Sequence, residues 1–377
     1  MNARMAGMSA QVIDPVASGY LTIDLGAIRR NYLKLTDMLA PARTAAVVKA
    51  DAYGLGARPV AEALYQAGCR DFFTAHFSEA ATLRPVLADD AILYVLNGLQ
   101  PGNEAACAAA GVIPVLNSLE QVRRWGETAT LMGKALAAAI QFDTGMSRLG
   151  LSPVEQALLK AELAHHPLID IRFIMSHLAS ADEADSAQNG EQIAEMERIA
   201  AEFPEFPVCF SNSGGVFLGK RFHHLMARPG IATYGGNPTP NAVNPMEPTV
   251  SLKIAVVQTR TVPAGAKVGY GATFVAPKEM RLATIAAGYA DGLPRSLSDR
   301  GAVYYGDVRL PIVGRVSMDS MTVDISSLPE GTLMLGSLVE MIGPHQSLDD
   351  LAQAAGTISY EVLTSLGQRY RREYLKP

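Results

Sequence analysis

The chain has little cysteine, few charged residues and no long apolar run. Its three cysteines, Cys69, Cys107 and Cys209, lie far apart and form no Cys-x-x-Cys pair. We interpret them as reduced, mostly buried thiols, and we predict no metal site. No stretch supplies the roughly 20 apolar residues that a membrane-spanning helix needs. Residues 1–18 contain Arg4 as their only basic residue and lack the apolar run of a secretory signal, so we expect a cytoplasmic location.

Positive charge is also scarce. Lysine and arginine total 32 against 37 acidic residues, giving a net charge of −5. A chain with this net charge is not expected to have the basic surface that attracts nucleic acid or an anionic membrane, so we expect neither as a partner. The 377 residues are 49% hydrophobic, which is enough for an ordinary globular protein of about two domains or a barrel with a smaller partner.

Short apolar runs alternate with segments of helical spacing from about residue 44. The amphipathic segments 57–69 and 188–202 are examples, with Ile193, Met196, Ile199 and Ala200 marking one helical face of the second. Eight such β-then-α units predict an α/β fold, a (β/α)8 TIM-like barrel. The predicted strands are 44–50, 71–77, 91–96, 112–117, 136–143, 170–178, 207–213 and 224–229.

The pattern changes after Gly236. A proline- and asparagine-rich stretch at 235–250 is typical of a linker or long loop. Glycine-punctuated runs then predict a mainly β C-terminal domain closed by two short helices, at 348–355 and 359–373. We place the barrel in residues 20–245 and the second domain in residues 246–377, with residues 1–25 as a candidate addition to the latter. The predicted strands of this domain are 250–259, 281–287, 302–315, 321–325 and 337–342.

Lys49 lies one residue before the end of the first predicted strand. The carboxyl ends of barrel strands open onto the active-site face, and an amine held there by apolar walls can serve as a nucleophile. The alternative is a lysine that simply extends its charge to solvent from a strand end. The following residues, AYGLGA (52–57), favour a site because Tyr53 adds a hydroxyl and the glycines allow a tight turn.

Other strand ends carry a matching set. His177 ends the sixth strand, Asn212 and Ser213 end the seventh, and the glycine-containing segment 227–235 follows the eighth. Barrels frequently bind phosphate in the loops after strands seven and eight, which predicts a phosphate site here. Taken singly, His177 could equally be a core or rim histidine and Ser213 a helix N-cap. Their coincidence with Lys49 on one face favours a functional site.

Eight segments, in order along nearly the whole chain, resemble alanine racemases, a family of pyridoxal-phosphate enzymes. They are VVKADAYGLGA (47–57), FDTGMSRLG (142–150), SHLASAD (176–182), SNSGG (211–215), ARPGIATYG (227–235), GYGATF (269–274), AGYADG (287–292) and GRVSMDSM (314–321). The resemblance implies a racemase that interconverts L- and D-alanine, either for D-alanine supply to peptidoglycan or for alanine breakdown.

The resemblance also implies a role for each matching residue. Lys49 would carry pyridoxal 5'-phosphate covalently, His177 would lie against its ring, and Arg228 would face its pyridine nitrogen. The residues implied to contact the cofactor, mainly its phosphate, are Tyr53, Asn212, Ser213, Gly230, Ile231 and Tyr360.

Racemisation needs an acid/base group on each side of a planar carbanion, because one fixed base returns the proton to the face it came from. The resemblance assigns Lys49 to one face and Tyr270, from the partner of a head-to-tail homodimer, to the other. Arg148 and the backbone N–H of Met318 would bind the substrate carboxylate. Tyr289 and Asp319 would line the entrance, although a surface tyrosine and a turn aspartate are the alternatives. A strand tyrosine packed beside a glycine turn is the alternative for Tyr270.

Two positions depart from the family pattern. Gln141 stands where relatives commonly have a lysine that is often carbamylated, so we predict that Arg148 is held without a carbamate, with a bound anion such as chloride as one option. Ser317 stands where many relatives have cysteine, so no redox-sensitive thiol is expected there.

Other protein classes stay open at this stage. A broad-specificity or serine-preferring racemase would share the fold and differ at the entrance. Barrel decarboxylases for basic amino acids generally place an acidic residue at the pyridine nitrogen. The ARPG segment has Arg228 at the corresponding position, which argues against this class. A cofactor carrier without catalysis leaves Tyr270 and the second domain unexplained, and a metal-dependent hydrolase lacks a ligand cluster among the seven histidines.

Overall fold

The computed structural model describes residues 16–376, in which strands and helices alternate up to residue 227 and β-structure dominates beyond residue 250. The strands are β1 Gly19–Asp24, β2 Arg43–Thr44, β3 Ala46–Val47, β4 Asp71–Thr74, β5 Ile92–Val95, β6 Ile113–Leu116, β7 Leu136–Gln141, β8 Ile169–Met175, β9 Val208–Cys209, β10 Met226–Ala227, β11 Val250–Val262, β12 Lys267–Val268, β13 Phe274–Val275, β14 Met280–Ile285, β15 Ala302–Tyr305, β16 Val308–Pro311, β17 Met321–Asp324, β18 Leu338–Ile342 and β19 Arg371–Leu375. The helices are α1 Leu25–Leu39, α2 Ala57–Gln66, α3 Phe77–Leu83, α4 Glu104–Ala109, α5 Leu119–Met132, α6 Pro153–His165, α7 Ala187–Glu202, α8 Ser213–Phe217, α9 Leu348–Ala355 and α10 Ser359–Ser365.

Strands β2 to β10 form a nearly closed parallel barrel. The first stave is split at Ala45, so that β2 pairs with β10 and β3 pairs with β4. The two halves of this stave thus join the two ends of the sheet. The eight staves lie where the sequence predicts them, although most end before the predicted carboxyl end. The α/β barrel prediction is therefore confirmed, and the residues just after the strands are loops that form the site.

Local signals explain where the barrel helices begin and end. Ser152 accepts a hydrogen bond from the Glu155 N–H while the Glu155 carboxylate accepts from the Ser152 N–H, and Pro153 occupies the first helical position of α6. Helix α5 begins at Ser118, whose side chain accepts from the Gln121 N–H, and ends at Gly133 in the left-handed region. In the predicted segment 188–202, Ile193, Met196 and Ile199 are buried as expected and Ala200 is partly buried.

The barrel strands contribute an aromatic cluster beneath the site. The rings of Phe73 and Tyr94 stack at 4.5 Å, and Phe173 lies 5.3 Å from Tyr94. The Tyr94 hydroxyl donates to the buried carboxylate of Asp71, so its polar atom is satisfied. This rigid floor supports Arg228, whose guanidinium carbon lies 5.9 Å from the Phe73 ring centroid.

The second sheet draws strands from both ends of the described chain. Strand β1 pairs antiparallel with β11 and parallel with β19, and the full order is β16-β15-β18-β11-β1-β19, with β14 and β17 attached through β11. Strand β1 therefore lies in the second sheet although it precedes the barrel in the chain. Residues 228–249 contain turns and no helix or strand, in agreement with the predicted long loop.

Two predictions in this region are wrong. The helix predicted at 359–373 ends at Ser365, and Arg371–Leu375 forms β19, because β1 offers an edge with which this segment pairs. The single strand predicted at 302–315 is instead the hairpin β15–β16, since Gly306 adopts a positive φ of 55° and turns the chain.

Three further expectations concern cysteine, membranes and the N-terminus. All three cysteines are free and buried, as predicted. Every helix among residues 16–376 is too short or too polar to cross a bilayer. The expectation for residues 1–18 falls almost entirely outside the described residues.

Candidate active site

The carboxyl ends of the barrel strands surround a cavity of about 760 Å³. Each of the loops that follow β3, β8, β9 and β10 contributes to its wall, and α10 of the C-terminal region closes one side. Ten of the predicted site residues line it: Lys49, Tyr53, Arg148, His177, Asn212, Ser213, Arg228, Gly230, Ile231 and Tyr360. The structure thus brings together the residues for which the sequence predicted a lysine and phosphate site.

Lys49 enters the cavity from an unusual backbone turn. The four residues that follow, Ala50 to Tyr53, have φ values of 52°, 54°, 53° and 56°, which is a turn of left-handed helix without glycine. Each such residue costs roughly 1–2 kcal/mol relative to the right-handed form, so the segment persists only because its surroundings fix it. We call residues 49–53 the lysine turn. Both of its ends, Lys49 and Tyr53, line the cavity.

Contacts from distant parts of the chain hold the lysine turn. The Asp51 carboxylate accepts from the Ala57 N–H at 2.6 Å, at the start of α2. From the C-terminal strand β19, Arg372 donates to the Gly54 carbonyl at 2.5 Å and Tyr374 donates to the Leu55 carbonyl at 3.0 Å. Gly54 itself has a φ of 80°, and a Cβ there would lie 2.5 Å from the Leu363 carbonyl oxygen of α10. The lysine turn is therefore completed by the last strand and helix.

The environment of Lys49 favours its neutral amine. Burial lowers the pKa of Lys49, the positive charges of Arg148 and Arg228 lower it further, and Glu79 acts in the opposite direction. A lysine with a depressed pKa is a better nucleophile and base near neutral pH. The alternative of a lysine that extends its charge into solvent does not fit this position.

Arg228 is a buried cation without a carboxylate. Its guanidinium donates to the carbonyls of Cys209 at 2.9 Å and Ser176 at 2.7 Å, and to the Cys209 sulfur at 2.9 Å. Within residues 16–376 no acidic side chain pairs with it. Carbonyl oxygens satisfy its N–H groups while leaving its full positive charge in the site.

His177 is a neutral imidazole beside that cation. Burial lowers the pKa of His177 to about 3, and Arg228, Arg148 and Lys49 add positive charge nearby. The ring therefore stays uncharged across the physiological range. The described part of the chain supplies no hydrogen-bond partner to either ring nitrogen, and His177 lines the cavity.

The seventh and eighth loops form an anion cradle. Ser213 Oγ accepts the N–H groups of Gly230 at 2.8 Å and Ala232 at 3.2 Å, which leaves its hydroxyl proton free to donate. The N–H of the buried Ile231 finds no acceptor within the described ranges. Asn212, and not Ser213, is the N-cap of α8, because the Asn212 side chain accepts from the Gly215 N–H. The suggestion that Ser213 is only a cap is therefore wrong.

Two phenols complete the cradle. The rings of Tyr53 and Tyr360 lie 6.0 Å apart, and a Cβ built on Gly230 would approach the Tyr53 oxygen to 2.1 Å. Only glycine at position 230 leaves room for that phenol. Burial raises the pKa of Tyr53, and it raises the pKa of Tyr360 to about 12, so both hydroxyls stay protonated donors.

Arg148 projects from the loop after β7 with no ion-pair or hydrogen-bond partner among residues 16–376. The loop itself is tied by Gln141, which is buried and donates from Nε2 to the Leu149 carbonyl at 3.2 Å. Gln141 thus anchors the backbone next to Arg148 and makes no hydrogen bond with the guanidinium in the described structure. The Arg148 cation is left free to bind an anionic ligand.

Four predicted residues lie outside the cavity of their own chain. Tyr270 is 71% exposed on the loop between β12 and β13, and Met318 is 52% exposed. Asp319 pairs with Arg369 at 2.7 Å, and Tyr289 faces a neighbouring cavity that shares Thr357 and Glu361 with the first. The Met318 N–H has no acceptor in the part of the chain that the structure describes. Tyr270 and Met318 are therefore exposed away from the cavity of their own chain, and the Met318 backbone offers a free donor.

The structure adds residues that the sequence reasoning missed. Glu361 and Thr364 of α10 line the cavity, and Glu79 contacts the lysine turn. The Arg315 guanidinium packs against Gly271, where a Cβ would lie 3.0 Å from its Nη1 atom, so a positive charge stands beside the Tyr270 loop. Arg315 falls in the GRVSMDSM segment and could have been found there. Nothing in the sequence points to Glu79.

A nearly closed barrel whose cavity holds a low-pKa lysine, a buried unpaired arginine and an anion cradle defines a lysine-dependent barrel enzyme with an anionic ligand. Family models for the alanine racemase N-terminal domain and C-terminal domain match residues 23–238 and 249–374. The chain is 65% identical over 358 residues to a catabolic alanine racemase of Rhizobium johnstonii, covering 95% of each, and 56% identical over 375 residues to an alanine racemase of Brucella canis, covering 96% of this chain and 95% of that protein. The chain belongs to the alanine racemase family.

A solved structure supports the same assignment. The alanine racemase of Bartonella henselae, described with covalently bound pyridoxal phosphate, superposes with a TM-score of 0.92 at 43% identity and covers 96% of this chain and 100% of its own.

Proposed function

We propose that this chain is an alanine racemase that uses pyridoxal phosphate, with Lys49 and Tyr270 of the partner subunit as its two acid/base groups. One observation carries the proposal: a lysine whose pKa is lowered opens into the same cavity as an anion cradle and two unpaired guanidinium groups. The names and identities of the relatives from Rhizobium johnstonii and Brucella canis support alanine as the substrate.

The residues of the cavity fit pyridoxal phosphate. The free hydroxyl proton of Ser213, the free N–H of Ile231 and the phenols of Tyr53 and Tyr360 are four donors for its phosphate. The amine of Lys49 would form the covalent link, His177 would lie against the ring, and Arg228 would face the pyridine nitrogen. Asn212 lines the same wall, and the N–H of Gly230 is already shared with Ser213.

Pyridoxal phosphate, when bound, withdraws electrons from the amino acid and so makes its α-proton acidic. Lys49 accepts or returns that proton on one face. Because a fixed base cannot reach the other face, a second group must act there, and Tyr270 of the partner subunit is our assignment. The Arg315 guanidinium packs against Gly271, the residue that follows Tyr270.

Arg228 limits how far the negative charge spreads. A carboxylate at the pyridine nitrogen would keep it protonated, whereas a guanidinium is not a proton donor in practice and leaves it unprotonated. The α-carbon then retains more of the charge and is reprotonated there. Arg228 would thereby suppress transamination.

Substrate binding is shared between subunits in this proposal. Arg148 offers a free guanidinium, which matches the planar geometry of a carboxylate. The free N–H of Met318 of the partner subunit would be a second donor, with Tyr289 and Asp319 at the entrance. The exposure of Tyr270 and Met318, away from the cavity of their own chain, supports a homodimer with shared sites.

We assign the chain to alanine breakdown in preference to cell-wall supply, because the Rhizobium johnstonii relative is named as catabolic. Deletion of the gene for the present chain should impair growth on alanine as sole nitrogen source. A requirement for external D-alanine would instead indicate the biosynthetic role. The cytoplasmic location stays a prediction from sequence.

The first test uses the purified holoenzyme. Borohydride reduction should fix a pyridoxyl group on the peptide that contains Lys49, and Lys49→Ala and Tyr270→Phe should each abolish D/L-alanine interconversion. Serine offered in place of alanine distinguishes the broad-specificity alternative, which predicts comparable rates. A pyridoxyl group on another lysine would refute the assignment.

The second test asks whether the site is shared. Mixed dimers of Lys49→Ala and Tyr270→Phe subunits contain one site with both groups intact, so random mixing should restore about a quarter of wild-type activity. A chain that carries both substitutions, mixed with itself, is the control and should stay inactive. Failure of the mixed dimers to recover activity would place both groups on one subunit.

A further inference from the structure

The lysine turn begins at a contact with one carboxylate. Oε1 of Glu79 accepts the N–H of Ala50 at 2.6 Å, and Ala50 is the residue after Lys49 and the first of the left-handed residues. Glu79 lies in the first turn of α3, which follows the next barrel strand, β4. The Glu79 side chain therefore connects the loops that follow β3 and β4, next to Lys49.

The other oxygen of Glu79 holds the second of these strand ends. Oε2 accepts the N–H of Ala75 at 2.7 Å and the N–H of His76 at 3.0 Å. An ordinary helix cap accounts for these two bonds, because the first turn of a helix leaves N–H groups unpaired. It does not account for the bond from Oε1 to Ala50, which reaches across to a different strand.

We infer that Glu79 is a positioning residue for Lys49, fixing the first left-handed residue of the lysine turn so that the amine points into the cofactor cavity. The inference rests on the proposed role of Lys49. It assigns to Glu79 a task that a neutral acceptor cannot perform, since three N–H donors converge on its two oxygens.

The charge of Glu79 also acts on the amine. The cations near Lys49 are Arg148, from the loop after β7, and Arg228, from the loop after β10, and both lower its pKa together with burial. Glu79 is the opposing negative charge, from the first turn of α3. Removing this carboxylate should therefore lower the pKa of Lys49 further, while also releasing Ala50.

Three variants separate these effects. Glu79→Gln keeps the size and removes the charge, and Glu79→Asp keeps the charge with a shorter reach. Glu62→Gln, which removes the exposed partner of Arg58 on α2, is the matched control. For each apoenzyme, competitive acetylation across pH, measured by mass spectrometry on the Lys49 peptide, gives the protonation midpoint of the amine. Titration with pyridoxal phosphate gives the dissociation constant.

Glu79→Gln should lower the acetylation midpoint of Lys49 and weaken pyridoxal phosphate binding at least tenfold. Glu79→Asp should restore the midpoint toward the wild-type value, and Glu62→Gln should match wild type in both measurements. A Glu79→Gln protein that binds pyridoxal phosphate as tightly as wild type overturns the inference, whatever its midpoint or thermal stability, because a simple helix cap predicts that result. Failure of borohydride to label Lys49 in the wild-type holoenzyme would refute the proposed function instead.

Discussion

Ser213 provides a test of the anion cradle because its hydroxyl does two separable things. Its oxygen accepts the N–H groups of Gly230 and Ala232, at 2.8 and 3.2 Å, and its proton is free for the phosphate. Ser213→Ala leaves both buried N–H groups without an acceptor. Each orphaned donor costs about 1–3 kcal/mol, and because the second bond is longer we expect a total loss of about 3 kcal/mol.

The loss should appear without cofactor. Urea unfolding of the apoenzyme at fixed protein concentration measures it directly, since dimers and ligands shift apparent stability. Pyridoxal phosphate binding should weaken in addition by about tenfold or more, as for a lost hydrogen bond to a charged group. Ser213→Thr keeps a hydroxyl and should therefore retain part of the wild-type stability and part of the affinity for pyridoxal phosphate.

Ser78→Ala serves as the control, because Ser78 is exposed and should change stability by no more than about 0.5 kcal/mol. If the Ser213→Ala apoenzyme unfolded at the wild-type urea concentration, the hydrogen-bond geometry described for the two loops would be incorrect. A loss of stability with unchanged cofactor affinity would keep the geometry and remove Ser213 from the phosphate site.

Three further predictions concern the other walls of the cavity. Burial holds the pKa of His177 at about 3 in the folded state, against 6.5 in the unfolded state. Between these pH values the unfolded state binds more protons, so the free energy of unfolding falls as the pH drops through this window. His177→Gln should reduce the difference in stability between urea titrations at pH 5 and pH 7, and an unchanged difference would contradict the prediction. Gln141→Ala should raise KM for alanine several-fold with little change in kcat, because it frees the loop that carries Arg148. A fall in kcat without a rise in KM would argue against a role in substrate binding. Arg228→Glu should increase the pyruvate formed per racemisation event, and a variant with the wild-type ratio would refute the role of this cation.

The sequence predicts the barrel well because its signals are local. Each stave is a short apolar run, and the residues that follow it, such as His177 and Arg228, inherit their position from the strand end. Ten of the cavity-lining residues could thus be predicted before the geometry was known, whereas Glu361 and Thr364 could not. The long loop at 235–250 was likewise evident from its prolines.

What could not be predicted depends on distant partners. Ala50 and Ala52 carry no preference for positive φ, and this segment is contacted by Glu79, 29 residues from Ala50, and by the final strand. Residues 371–373 were predicted as the end of the last helix, yet the edge of β1 pairs with Arg371–Leu375 as a strand. In the proposed homodimer, the place of Tyr270 relative to the cavity would depend on a second polypeptide, which a local sequence pattern does not describe.

The pairing of β1 with β19 has a consequence for synthesis. The first described strand leaves the ribosome more than 300 residues before its parallel neighbour, and Arg372 and Tyr374, which tether the loop after Lys49, emerge with that neighbour. Nascent chains can assemble barrel staves during translation, but the lysine turn acquires its final contacts only after β19 has been made. Truncation before Arg371 should therefore yield proteins with an intact barrel and an incompletely formed lysine turn.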